Sequence, residues 1–187
     1  MHCVEKYSLD CGIKSASPHV ERAFFPQPYD KYIIIENSKR APAAEYGHIG
    51  ELLTYIHPYL HKHNITPIQI KLNPTDEEIP KCKTYERLTF GQINYLIENS
   101  ELVISNDYYI PAIAGALNKK TISLHGIFPQ AANSPIWGTE KHISIEPEGE
   151  KYLLNENAAI KYIDKIYPEA IAQETLKALE IASSLNK

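Results

Sequence analysis

The sequence predicts a Rossmann-like three-layer α/β/α domain with a mostly parallel sheet, and three observations carry that prediction. Short β-branched runs recur without polar alternation, as strands covered on both faces do. Tyr32-Ile33-Ile34-Ile35 is the clearest, Leu102-Val103-Ile104-Ser105 reads as another buried strand, and Thr121-Ile122-Ser123-Leu124 adds a further short strand. Between them lie segments whose apolar residues fall three and four positions apart, the stripe of a helix resting on a sheet. At 187 residues the chain is also long enough to bury such a core without metal or disulfide staples.

Residues 1–30 read as a lead-in or linker-like segment. A mixed stretch runs to about Ile13, Ser15-Ala16-Ser17-Pro18 follows, and then comes Phe24-Phe25-Pro26-Gln27-Pro28-Tyr29, whose prolines favour an extended path over a helix. The domain proper occupies residues 31–187 and opens on the strand Tyr32–Ile35. Tyr46, Ile49, Leu53, Ile56 and Leu60 mark one helical stripe, which Pro58 is expected to kink or end early. Pro67–Leu72 alternates as a second strand, and Asn73 to Lys83 reads as a polar, proline-bounded loop. Thr89 is placed to cap a helix carrying Phe90, Ile93 and Ile97. After the strand Leu102–Ser105, Ile110, Ile113 and Leu117 mark another helix, with Pro111 in its first turn and Asn118 at a left-handed C-cap. Thr121–Leu124 and His142–Ile145 complete five strands. A closing helix runs from about Pro168 to Leu185, with Ala172, Leu176 and Leu179 on one face.

Composition narrows the function classes. Nineteen basic against twenty-three acidic residues leave a net charge of −4, the wrong balance for coating a polyanion, so no nucleic-acid partner is expected. No run of ~18 apolar residues is present to span a membrane. The charged start Met1-His2-Cys3-Val4-Glu5-Lys6 lacks the apolar stretch of a signal peptide. Three scattered cysteines (Cys3, Cys11, Cys82) fit free thiols in a reducing, cytoplasmic setting. The chain holds no Gly-x-Gly-x-x-Gly, no Walker loop and no Gly-x-Ser-x-Gly elbow, which disfavours dinucleotide oxidoreductases, P-loop kinases and α/β-hydrolases; no cofactor is expected. His57, His61 and His63 lie close along one helix end, but no cysteine or carboxylate at ligand spacing joins them, so no metal site is expected either.

Ligands of open parallel sheets bind beyond the carboxyl ends of the strands, so those ends supply the candidate site residues. The first strand runs into Ser38, Lys39 and Arg40, where two cations could neutralise a diphosphate. The strand Leu102–Ser105 runs into Asn106, Asp107, Tyr108 and Tyr109 at a helix start, whose amides and partial positive charge suit phosphate; Asp107 is also the natural N-cap. The strand Thr121–Leu124 ends in His125 and Gly126, a potential donor and a point of close backbone approach.

The stretch from Leu102 through Asn106-Asp107, Ala114-Gly115-Ala116-Leu117-Asn118-Lys119-Lys120 and Leu124-His125-Gly126 resembles the heptosyltransferase-like glycosyltransferases, family nine, of the GT-B fold. Ser134-Pro135-Ile136-Trp137-Gly138 looks like that family's Trp-Gly, and Ile166-Tyr167-Pro168-Glu169-Ala170-Ile171 like the start of its terminal helix. The resemblance covers roughly Lys31 to Leu185 and corresponds to the C-terminal, donor-binding half of a two-domain enzyme. It implies a nucleotide-sugar donor with its diphosphate at the helix start after Asp107. An acceptor would sit on a second Rossmann-like domain, or self-association would cover the open face. It further implies inverting transfer to an acceptor hydroxyl, with a terminal helix of the kind that folds back onto the other half. The chain departs from the family pattern at Tyr108-Tyr109-Ile110, where the family has Ser-Gly-Pro, at Ala112 in place of a histidine, and at Ala44 in place of a lysine. Those departures keep open a second expectation, a non-catalytic GT-B-like binding or scaffold module.

Overall fold

Six strands form one sheet, and every pairing in it is parallel. The computed structural model describes residues 3–14, 16, 18–38, 45–126, 134–147 and 162–182. In chain order the strands are β1 (Tyr32–Glu36), β2 (Thr66–Ile70), β3 (Lys83–Tyr85), β4 (Leu102–Ser105), β5 (Thr121–Leu124) and β6 (His142–Ile145). In space they stand β3-β2-β1-β4-β5-β6. Among the described residues the helices are α1 (Cys3–Asp10), α2 (Ile49–Lys62), α3 (Phe90–Asn99), α4 (Tyr109–Ala116) and α5 (Pro168–Ala178).

Alternation along the strands divides the core into two layers. Ile33 and Ile35 of β1 face α2 and α5, meeting Leu52, Leu53, Ile56, Ile171, Ala172 and Leu176. Tyr32 and Ile34 face α3 and α4, meeting Ile93, Leu96, Ile97, Ile110 and Ala114. Each such fully buried side chain contributes about 1.5–3 kcal/mol of burial free energy. Tyr32 can be buried whole because its hydroxyl donates to the Leu96 carbonyl at 2.8 Å.

The helix ends follow their sequence signals. Thr89 and Gln92 close a capping box on α3. Asn118 takes φ 55, donating its N–H to Gly115 O at 3.0 Å while Lys119 donates to Ala114 O at 2.8 Å, so α4 ends in a Schellman motif. Asn64 ends α2 and Glu180 ends α5 in the same way.

Several expectations need correction. The segment Asn73 to Lys83 is not all loop, because β3 begins at Lys83 and forms the sheet edge beyond β2. Pro58 does not end α2, which continues to Lys62; both Pro58 and Thr54 are exposed, so the carbonyl that the proline cannot pair meets water. Tyr46 precedes α2 instead of joining its stripe, and it is fully buried with its hydroxyl donating to Ile166 O at 2.7 Å. Phe90 starts α3 but is 68% exposed, resting edge-on against the Tyr109 ring. The closing helix stops at Ala178, where Leu179 is the C-cap and Glu180 turns to φ 59. That helix packs on α2 of the same chain, with the Tyr55 hydroxyl donating to Glu169 at 2.6 Å.

The lead-in lies along α3. Ala23 N–H donates to Gly91 O at 2.9 Å, Phe24 meets the Tyr95 ring at 5.4 Å, and Arg22 pairs with Glu98 at 2.8 Å. A Cβ on Gly91 would stand 2.9 Å from that of Ala23, so the glycine admits the strap.

Candidate functional site

Strand order reverses between β1 and β4: from β1 the chain winds outward to β2 and β3, and from β4 it winds outward the other way. The usual ligand position in open α/β sheets is above the carboxyl ends of the strands at such a reversal. Two short segments meet there, Glu36-Asn37-Ser38 after β1 and Ser105-Asn106-Asp107 after β4.

Side chains zip these segments together. Asn37 clamps the backbone of Tyr46, accepting its N–H at 2.9 Å and donating to its carbonyl at 2.9 Å. Asn106 donates to Asn37 Oδ1 at 3.0 Å and to Ser38 O at 3.3 Å, and it accepts the Ser38 N–H at 3.2 Å. Glu36, 2% exposed, accepts the Ser38 N–H at 2.8 Å on Oε1 and the Ser105 hydroxyl at 2.5 Å on Oε2. Ser105 Oγ in turn accepts the Asp107 N–H at 3.0 Å. Burial is the main cause that raises the Glu36 carboxyl to about 7, with the charge of Asp107 adding to it and the Ser105 and Ser38 hydrogen bonds opposing it.

Asp107 Oδ1 accepts the Tyr109 N–H at 2.5 Å, so it holds the first amide of α4 from one position before the N-cap, which is Tyr108. The expectation that Asp107 is itself the N-cap is thus off by one residue, with the same consequence for the helix dipole. Tyr109 leans onto α3, its ring against Phe90 and its hydroxyl 3.5 Å from Asn94 Oδ1, while Tyr108 is 63% exposed.

The fold brings Ser38, Asn106 and Asp107 together and sets Tyr108 and Tyr109 at the rim. Lys39 and Arg40 lie outside the described residues. His125 and Gly126 stand apart, at the end of β5. His125 is 9% exposed, with Nε2 3.2 Å from Ser144 Oγ and its backbone N–H bonded to Ile145 O at 2.8 Å; burial holds its imidazole below the usual histidine range. Gly126 admits a protein neighbour: a Cβ there would stand 2.7 Å from that of Ile163. His57 and His61 stack on α2 with ring centroids 6.3 Å apart, and no three metal-ligating residues converge among the described residues. At the amino ends of β1 and β2, opposite the carboxyl ends that carry the candidate site residues, lies a depression of about 370 Å³ lined by Tyr29, Lys31, His63, Asn64 and Thr66.

Glu36, Asn37 and Ser105 escape a reading of the sequence for site residues, because a charged or polar residue at a strand end resembles the start of a solvated loop. Their signal is register: Glu36 pairs with Ser105, Ser105 with Ser123 and Ser123 with Ser144. A polar row thus crosses four strands.

No known protein family and no curated protein matches the sequence. Solved structures do. The chain superimposes on the E. coli heptosyltransferase WaaC, solved with ADP, at a TM-score of 0.65 with 11% identity, covering 95% of this chain and 57% of that one. It matches E. coli ADP-heptose LPS heptosyltransferase II at 0.60 with 17% identity, covering 94% and 50%. A family 9 glycosyltransferase from Veillonella parvula matches at 0.61 with 16% identity, covering 81% and 46%. The chain therefore spans about half the length of each structure it matches. Its architecture is the Rossmann-like α/β/α fold of the heptosyltransferases and family 9 glycosyltransferases of the GT-B class.

Proposed function

We propose that the chain is a glycosyltransferase-type donor-binding domain, taking a nucleoside-diphosphate sugar at the carboxyl ends of β1 and β4 and serving transfer to an acceptor hydroxyl when an acceptor-binding half is present. The observation that carries this reading is the joining of the β1 and β4 loops at the strand-order reversal, directly beside the start of α4. Oriented amides and the helix dipole favour a diphosphate there, and Lys39 and Arg40, next in sequence after Ser38, supply the cations. In the proposed inverting reaction a base on the acceptor side takes the hydroxyl proton. The acceptor oxygen then bonds the anomeric carbon as the bond to the donor phosphate breaks, and this domain stabilises the departing diphosphate. The cytoplasmic setting expected from the scattered cysteines accompanies this reading.

Calorimetric or thermal-shift titration with ADP-, UDP- and GDP-sugars tests it. A donor at a hundredfold its Kd should stabilise the chain by about 2.7 kcal/mol. The double change Lys39→Ala, Arg40→Ala is expected to abolish most of that shift. No stabilisation by any donor at millimolar concentration would remove the reading. One observation favours a second reading, a binding or scaffold module without donor chemistry: Asp107 already places a carboxylate on the first amide of α4. Absence of a shift together with self-association would favour that module.

A further inference from the structure

Glu36 is the least expected group in the molecule. It continues the apolar run of β1 on the face shared with Tyr32 and Ile34, and it is buried where a strand of this kind ordinarily carries an apolar residue. Both carboxylate oxygens take uncharged donors, Ser38 N–H and Ser105 Oγ, and no lysine, arginine or histidine among the described residues pairs with it. The charged group acting on it is Asp107, of like sign, from the turn between β4 and α4. Ser105 and Ser38, its other hydrogen-bonding neighbours among the described residues, are neutral; Lys39 and Arg40, next in sequence after Ser38, lie outside the described residues, and His125 lies two strands away, bonded to Ser144.

Such a carboxyl beneath an anion site holds two alternatives. Ionised, it opposes any diphosphate above it and binds Ser38 and Ser105 firmly. Protonated, it removes that opposition while still accepting one of the two hydrogen bonds and donating along the other. We propose, resting on the donor-binding reading, that Glu36 is a proton-linked positioning residue: it becomes neutral as the diphosphate enters and ionises as it leaves, so that donor binding draws one proton from solvent. Its raised pKa, about 7, puts the exchange within reach at neutral pH. Transfer adds to the same need, since the nucleoside diphosphate left behind carries one more negative charge than the donor. A neutral Glu36 then favours the departing group, and release of that product returns the proton.

The test is calorimetry of the full chain with ADP-glucose, UDP-glucose and GDP-mannose, whose phosphodiesters do not titrate near neutrality. Buffers of different ionisation enthalpy report the protons taken up. Between pH 6 and pH 8 the Kd should weaken about tenfold in the native chain, with proton uptake rising toward one. Glu36→Gln, which keeps an acceptor for Ser38, should bind with a flat pH profile and no uptake. Ser105→Ala removes one donor to the ionised form, so it should move the pH midpoint upward, and it serves as the second variant if the first folds poorly. Binding whose pH slope and proton uptake survive Glu36→Gln overturns the proposal and leaves the donor reading intact. No binding to the native chain at pH 6 removes both.

Discussion

A carboxyl held in a protein interior with no cation beside it among the described residues is easier to keep protonated than charged, and Glu36 turns that preference into a stability effect. Its folded pKa, about 7, lies above its ordinary value of 4.5, so folding takes up a proton between those two pH values. Stability from this group therefore falls as pH rises through the window, and above it the ionised carboxylate costs on the order of 3 kcal/mol. His142 works in the opposite sense. Burial first, and then the charge of His125, lower its pKa to about 4, so its contribution falls as pH drops below 6.5. The two windows overlap and flatten the native profile, which makes a difference between variants the informative measurement. Glu36→Gln should be more stable than the native chain at pH 8, and that gain should vanish near pH 4.5, as followed by urea denaturation. An equal gain at both pH values would rule out the ionisation account. This residue also marks the limit of what sequence reveals. Tyr32–Ile35 is legible as a strand because burial on both faces demands an unbroken apolar run. Glu36 extends the same run by one position, and only its pairing with Ser105 across the strand register exposes it as interior.

Helices and strands were legible in proportion to how much of their stabilisation is local. α3 declares its start through Thr89 and Gln92, and α4 its end through Asn118, because capping is written within a few residues. β3 declares nothing: Lys83-Thr84-Tyr85 is short, lies at the edge and is only partly buried, so tertiary pairing with β2 creates it. Two glycines in helices separate local propensity from packing. Gly50 in α2 has open space around the position of a Cβ, and Gly50→Ala should stabilise by up to about 1 kcal/mol. Gly115 in α4 meets the Trp137 carbonyl and Pro135, where an added Cβ would stand 2.7 Å from that of Pro135. Gly115→Ala should therefore cost roughly 1–3 kcal/mol despite the better helix former. Chemical denaturation of both variants checks the pair, and a stabilised Gly115→Ala would mean that the 134–138 segment does not press on α4.

At the scale of the whole chain, the parallel order β3-β2-β1-β4-β5-β6 was only partly legible: strand-helix alternation predicts a parallel sheet, whereas the position of the reversal between β1 and β4 follows from pairing. Ser38, Asn106 and Asp107, the candidates near that reversal, come from the rule that such sheets bind ligands at their strand ends. His125 and Gly126 follow from the same rule, and in the structure their neighbours are Ser144 and Ile163. On the proposed function, this domain holds the donor, while the base that takes the acceptor proton belongs to the acceptor-binding half. Incubation with a bound nucleotide sugar should accordingly leave the donor intact, measured as nucleoside diphosphate released over hours. Steady release by the chain alone would show that such a base is present within it.

The Asn37–Asn106 link carries a consequence for recognition. The ends of β1 and β4 are stitched to each other through side chains, with Tyr46 as an anchor in the interior, so on the proposed function a donor would meet Ser38 and Asn106 already fixed relative to each other.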